Sequence, residues 1–503
     1  MYTLTNHATA LGSSLHEILT RLKAQPLVYP SIDISYTPSK PLTAPLILGL
    51  PANGLRLRFD GPEQTLRLIE VVDFARTALC YKNVDFVKLP ESHAVHFVGP
   101  TFRHVYNMMG PTFPGEYIPP GVSSDVGVGS YVLSYPGIAI SFPLQSSSWK
   151  NQPDFVTLLS SSAASPATSL AIFEGRSWQD ARQALYHPTN SNANTTSSNR
   201  LKEHKANEIE HVIIHGNGSL EMVRRLSPTF HLLLGETTAQ DLVTELGPPD
   251  AIYNKSDRRV SIHRQRRESG QQQRSDLSLA IEDDLTDGEN SSSHNTEDDS
   301  DDDDANDQTE ASGKQSVECF YNYFHHGFDV FISYPTTPSP PFPFSNSNEG
   351  QRLRTRHTDH LVATKVILHG NVPGSFPFNR YRRVRWIINT GDSEESHTIL
   401  DSETPFRILS RSLKQIWKGH WNSESEKSLE KVKQEKWVVN RGWGDSPGDS
   451  CELLGGWEEH TDTGKKAFGS GEGPGSGTTE LVGFPGLVFE FLKNDAVSCL
   501  TIY

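Results

Sequence analysis

Arginines crowd one short passage of the chain, Arg380-Tyr-Arg-Arg-Val-Arg-Trp386. Guanidinium groups grip phosphate through paired N–H donors. Arg380, Arg382, Arg383 and Arg385, interleaved with Tyr381 and Trp386, are therefore a candidate anion site, for a phosphoinositide headgroup before nucleic acid. On a strand, Arg380 and Arg382 would face one side, Arg383 and Arg385 the other. The plainer reading of the same residues is a solvated sheet face with paired arginines. The 20 histidines do not cluster at ligand spacing. His211 and His215 would lie about 13 Å apart on a strand. His325-His326 precedes a strand and His369 follows one, so no metal site is expected. Four scattered cysteines, Cys80, Cys319, Cys451 and Cys499, form no C-x-x-C and exclude a disulfide scaffold or cysteine-rich zinc module. The G-x-x-x-x-G-K-[ST] and H-E-x-x-H patterns are absent and no nucleophile elbow is expected, so neither a catalytic residue nor a cofactor is expected. Phe484-Pro-Gly-Leu487 has the aromatic-x-x-aliphatic form that can join another protein's sheet edge, but it also begins a core strand.

Charge is distributed unevenly. The 503 residues carry 46 Lys+Arg and 61 Asp+Glu, a formal net charge of −15. Asp276 to Glu310 holds 15 acidic residues and no Lys or Arg, so the remainder is neutral at 46 against 46. That neutrality argues against nonspecific nucleic-acid binding, which rests on many phosphate contacts. Glu297-Asp-Asp-Ser-Asp-Asp-Asp-Asp304 lacks the Gly and terminal Glu of a calcium loop. Ser300 and Thr296 precede acids, in the pattern of acidophilic phosphorylation sites. No run of 18 apolar residues could span a membrane, and the first residues show no signal-peptide pattern. The cytoplasm is the expected compartment.

The elements that must position these residues recur. Gly54-Leu-Arg-Leu-Arg-Phe59, Gly137-Ile-Ala-Ile-Ser-Phe142, Gly327-Phe-Asp-Val-Phe-Ile332 and Gly486-Leu-Val-Phe-Glu-Phe491 are each a glycine followed by a strand pattern. A second strand follows each, at Thr65–Val71, Ala167–Phe173, Ala363–Leu368 and Ala496–Ile502. Thr101 to Gly110-Pro111 and Thr238 to Gly247-Pro248 read as helices with a capping Thr and a Gly-Pro stop. Leu11 to Leu22 gives a third helix, and Thr404 to Ile416 is the best fit to a fourth. The unit is a helix, one further strand, then an antiparallel pair. Ile209–Gly216 and Leu220–Leu226 add a hairpin, and Phe378 to Ile388 alternates in part.

The expected fold class is α+β: degenerate tandem repeats of a helix followed by antiparallel strands, helices covering antiparallel sheets, with long disordered insertions. The first pair of repeats takes 1–176 and a Ser/Asn-rich linker 177–206. Region 207–392 holds the hairpin and third repeat, interrupted by a disordered acidic insert, 264–314, and a Pro-rich insert, 335–360. Region 393–503 holds a degenerate fourth repeat, disordered over 423–479, with a C-terminal hairpin at 484–503.

Five passages, in order, carry a family resemblance. They are Leu55-Arg-Leu-Arg-Phe-Asp60 with Gln64 to Val71, Gly110-Pro-Thr-Phe-Pro-Gly-Glu-Tyr117, Gln240 to Pro249, Tyr321-Asn-Tyr-Phe-His-His-Gly-Phe-Asp-Val330, and Val366-Ile-Leu-His-Gly-Asn-Val-Pro-Gly374. The chain resembles the phagophore assembly factor 1 family from about Leu11 to Trp386, inserts excepted, and at the C-terminal hairpin. The acidic run is extra to the family pattern and points to a fungal member. The resemblance implies a cytoplasmic, non-enzymatic scaffold or adaptor in autophagy and endomembrane traffic. It implies a β-propeller (WD-repeat-like) protein partner and peripheral association with phagophore, preautophagosomal or Golgi membranes through phosphoinositides. The alternatives are a Golgi or vesicle-traffic structural factor without an autophagy role, and an enzyme with a site between repeats.

Overall fold

Four glycines turn the chain between two strands of a hairpin. Gly54, Gly137, Gly327 and Gly486 have φ of 64°, 80°, 91° and 76°. A computed structural model describes residues 10–88, 99–120, 127–149, 154–186, 207–254, 318–335, 360–375, 377–390, 399–418, 437–440, 452–454 and 478–503. Each glycine lies inside a unit of a helix and antiparallel strands, four in the first three units and five in the fourth, so at least two strands precede the glycine where sequence patterning suggested one.

The first unit is α1 (Leu15–Lys23), β1 (Asp33–Ser35), β2 (Leu46–Leu50), β3 (Leu55–Phe59) and β4 (Leu66–Val71). A small hairpin follows, β5 (Leu79–Tyr81) and β6 (Val84–Val87). The second unit is α2 (Phe102–Met109), β7 (Glu116–Ile118), β8 (Val128–Tyr135), β9 (Ile138–Gln145), a short helix α3 (Phe155–Ser160) and β10 (Ser169–Phe173). The two units join through their last strands, giving one sheet of order β1-β2-β3-β4-β10-β9-β8-β7. A further helix, α4 (Trp178–Tyr186), packs Ala181 on the reverse face against Leu68 and Phe173. It occupies the start of the expected linker. Ser177 caps it, accepting from the Asp180 amide.

The second half repeats the plan. A hairpin comes first, β11 (Ile209–Ile214) and β12 (Ser219–Arg224), with β13 (Phe230–Leu233) beside it. The third unit is α5 (Ala239–Leu246), β14 (Ala251–Asn254), β15 (Cys319–Tyr323), β16 (Phe328–Ser333) and β17 (Val362–His369). Two short strands, β18 (Arg385–Ile388) and β19 (Leu400–Asp401), then lead to the fourth unit. It comprises α6 (Phe406–Lys418), β20 (Trp437–Asn440), β21 (Glu452–Leu454), β22 (Thr478–Phe484), β23 (Leu487–Leu492) and β24 (Val497–Ile502). The sheet runs β14-β15-β16-β17-β24-β23-β22-β20-β21, again joined through last strands. β20 and β21 lie inside 423–479, expected to be disordered; their backbones extend the sheet edge beyond β22. The inserts at 264–314 and most of 335–360 lie outside the described residues.

One hydrogen-bond pattern marks all four units. The start of each helix is tied to the residue that leads into its unit's last strand. Leu15 N–H donates to Gln64 O at 2.8 Å, Ala167 N–H to Pro100 O at 3.0 Å, Ala363 N–H to Thr237 O at 2.8 Å, and Phe406 N–H to Asp495 O at 2.8 Å. Side-chain caps hold the first three helices: Ser14 accepts from Glu17 N, Thr101 from His104 N, and Thr238 from Asp241 N within a full capping box. Each helix therefore lies across its own sheet with its apolar stripe inward. Leu15, Ile18, Leu19 and Leu22 share a core with Leu57 and Phe59. Leu409 and Leu413 share one with Phe489 and Leu500. The second core also takes in Trp386, Val212 and Leu220 from the five-stranded sheet β13-β12-β11-β18-β19.

Candidate functional site: the arginine segment at the seam

The arginines lie on the segment that leaves β17. It turns at Asn371 (φ 45°), Gly374 (φ 87°) and Asn379 (φ 63°) before entering β18 at Arg385. Residues 380–384 are not strand, so the alternation expected there does not occur. Arg382 and Arg383, neighbours in sequence, are both buried, which a strand with one buried face could not achieve. What replaces the strand is a set of specific polar contacts across the seam between the two halves.

Gln64 and Asn371 form the centre of the seam. Gln64 Nε2 donates to Asn371 O at 2.9 Å, and Asn371 Nδ2 donates to Gln64 Oε1 at 2.8 Å. Asn371 Oδ1 also accepts from Asn379 N–H at 2.6 Å, closing the loop on itself. Val372 packs beside this pair in a small apolar cluster with Leu42, Leu492 and Ala496. His16 Nε2 reaches Arg380 O at 3.1 Å, and Asn494 donates to Pro38 O at 2.7 Å.

Arg383 is the main strut. Its Nε donates to Pro62 O in the first half at 2.6 Å, its Nη1 to Gly370 O at 2.8 Å, and its Nη2 to Glu403 Oε1 at 2.8 Å. Arg385 donates to the same carboxylate through Nε at 2.9 Å and Nη2 at 3.3 Å. Burial alone would push the Glu403 carboxyl up, but Arg383 and Arg385 outweigh it and hold its pKa below the ordinary value. Arg382 pairs with Glu208 at 2.5 Å and donates to Ile209 O at 3.3 Å. Arg382, Arg383 and Arg385 thus meet carboxylates of this chain. Arg380 is exposed. An external phosphate at Arg382 or Arg383 would have to displace an internal, water-excluded partner. The accessible cationic surface is Arg380 and the outer edge of Arg385, whose side chain is 36% exposed.

Tyr381 points the other way, onto the outer face of the second sheet. Its hydroxyl donates to Asp329 Oδ2 at 2.9 Å, and its ring stacks on His369, centroids 3.6 Å apart and 9° between planes. Two further histidines have carboxylate partners. His215 reaches Glu221 at 2.9 Å and His325 reaches Asp250 at 2.5 Å. Among the described residues no group of three or more His, Cys, Asp or Glu side chains is placed to hold a metal ion. Phe484 and Leu487 are buried within the β22–β23 hairpin. A second run of basic residues in the sequence, Arg258-Arg259 and Arg264 to Arg267, lies outside the described residues.

The family model described as Phagosome assembly factor 1 matches residues 6–279 and 355–503. The chain belongs to this family. A PHAF1 protein of Drosophila melanogaster is 25% identical over 391 residues, covering 74% of this chain and 68% of its own. A PHAF1 protein of Arabidopsis thaliana is 24% identical over 405 residues, covering 79% and 76%. One of Caenorhabditis elegans is 23% identical over 274 residues, covering 50% and 60%. No solved structure matches the chain. The family carries the name of an assembly factor and not of an enzyme. Among the described residues of this member, no helix is long and apolar enough to cross a membrane.

Sequence reading found the arginines but missed what holds them. Glu208 and Glu403 look like ordinary surface acids in sequence, and Gln64 and Asn371 lie 307 positions apart. The one local signal was Asn371 in His369-Gly-Asn-Val-Pro-Gly374, a turn-rich run that announces a sharp change of direction.

Proposed function

We propose that this chain is a non-enzymatic scaffold or adaptor in autophagy, acting in phagosome assembly and the endomembrane traffic around it. Membership of a family named for phagosome assembly carries this reading. The seam supports it: Arg383, Gln64 and Asn371 tie two sheet-bearing halves together, a construction suited to presenting surfaces in a constant relation to one another. The partner is a β-propeller protein, as the family resemblance implies. The chain meets phagophore, preautophagosomal or Golgi membranes from the cytoplasmic side, as a peripheral protein. A phosphoinositide headgroup meets Arg380 and the outer edge of Arg385, because Arg382 and Arg383 are committed internally.

Starvation of cells carrying a fluorescently tagged chain tests the main reading. The expected outcome is puncta that coincide with phagosome precursors and a propeller protein enriched in the purified material. A signal that stays on the Golgi under starvation would replace this reading with that of a vesicle-traffic structural factor. Liposome flotation tests the lipid part: R380E lowers recovery on vesicles carrying phosphatidylinositol phosphates. Equal recovery with and without those lipids, alone and with the partner, would end it.

A further inference from the structure

The outer face of the second sheet brings together a thiol, an imidazole and a carboxylate that the scaffold reading does not use. Cys499 on β24 is the cross-strand partner of His369 on β17. Asp329 on β16 is paired with Ile367, two residues before His369, so all three side chains share one face. Cys499 Sγ lies 3.3 Å from His369 Nδ1, and His369 Nε2 lies 2.9 Å from Asp329 Oδ2. Asp329 accepts two further hydrogen bonds, from Tyr381 at 2.9 Å and from Asn322 on β15 at 2.8 Å.

This arrangement has a direction. Asp329 is thus surrounded by three partners, the His369 ring, the Tyr381 hydroxyl and the Asn322 amide. It fixes the proton on Nε2 and leaves the Nδ1 lone pair facing the thiol. Tyr381, stacked on the ring, keeps the imidazole in that orientation. The cluster is not a metal site, because Asp329 and Cys499 sit on opposite nitrogens of one imidazole and cannot share an ion with it. Burial pulls the His369 pKa down, but Cys499 and Asp329 outweigh it and carry it up to about 10, so the ring readily takes the thiol proton.

The other described cysteines lack a base. Burial pushes the Cys319 thiol up. Desolvation and the neighbouring Asp85 carboxylate push up that of Cys80. Cys499 is 5% exposed, which favours a small reagent over a bulky one.

We propose that Cys499 is an oxidant-reactive thiol, with His369 as its base, Asp329 as the positioning carboxylate and hydrogen peroxide as its reagent. His369 Nδ1 takes the thiol proton, and the thiolate attacks one peroxide oxygen. An S–O bond forms and the O–O bond breaks. The departing hydroxide takes the proton back from Nδ1 and leaves as water. Sulfur is oxidised by two electrons to a sulfenic acid and the peroxide is reduced by two. The inference stands apart from the scaffold reading.

The test pulses the reduced full-length protein with hydrogen peroxide, removes the peroxide, then unfolds the chain in the presence of dimedone and follows labelling at each cysteine by mass spectrometry. Cys499 is expected to label at least about tenfold faster than Cys319 and Cys80, as a thiol in contact with an imidazole base. The difference should vanish when the pulse is given in urea. H369Q should remove the advantage of Cys499 while leaving labelling at Cys80 unchanged. If that variant does not fold, the comparison within the native protein decides. Equal rates at Cys499 and Cys319, or a folded H369Q that labels as fast as the parent, would overturn the proposal.

Discussion

Three of the hydrogen bonds that Arg383 donates anchor the seam, and only one of those three is to an acid. The other two satisfy carbonyls on opposite sides of the seam, so its removal strands buried acceptors as well as Glu403. Truncating one member of a buried pair costs about 3–5 kcal/mol. R383M is therefore expected to lower the unfolding free energy by that amount, seen as a lower urea midpoint at an unchanged slope of the transition. The same pair sets an acid limb. Glu403 has a folded pKa below its ordinary value of 4.5. Its contribution is present in full above that ordinary value and is lost as pH falls through the lower folded value. Stability measured from neutral pH down to about pH 3 should fall more steeply in the parent than in E403Q, which starts lower and lacks this ionisation. Parallel curves would show that the pair contributes nothing to the acid limb.

At the level of elements, the glycines of the repeat and those of the helix stops differ in what surrounds them. Gly327 has φ of 91°, and an added Cβ would run into the Arg382 carbonyl and crowd Val384. Backbone cannot give way there without moving the arginine segment. Gly110 has φ of 85° but nothing within 4 Å of an added Cβ. Gly110, at ψ −172°, is in a region that only glycine adopts readily, so G110A should cost backbone strain of about 1–3 kcal/mol, while G327A adds a backbone collision and should cost more. Thermal midpoints of the two variants check this, and similar losses would show that the turn, not the contact with the arginine segment, sets the requirement. The helices themselves were legible because capping residue, apolar spacing and stop coincide within about ten positions. α4 was missed: its capping Ser177 and Asp180 sit beside a Ser/Asn-rich run that reads as linker. Only its docking of Ala181 on Leu68 and Phe173 explains why a helix forms there.

For the molecule as a whole, the acidic run enters and leaves at one place. β14 and β15 pair Asn254 with Cys319, so the intervening chain is a loop closed by a hairpin. Loop-closure entropy grows slowly with length, so a long insert there costs little more than a short one. Deleting 276–310 leaves 46 acids against 46 bases and should not change the thermal midpoint. A large drop in that midpoint would mean that the run contacts the folded body.

The sequence alone determined the repeat, its helices and the site of the acidity. These follow from local rules: period-two alternation, caps, a glycine at each turn, and a count of charges. Tertiary structure decided that the units pair through their last strands, and that Arg382 and Arg383 face carboxylates of their own chain. It also brought Asp329, His369 and Cys499 onto one face. His369 and Cys499 are 130 positions apart, and Arg383 lies 321 positions from the Pro62 carbonyl it holds. Strand register across two units creates such neighbours, and no periodicity in the chain encodes which distant side chain will share a pleat.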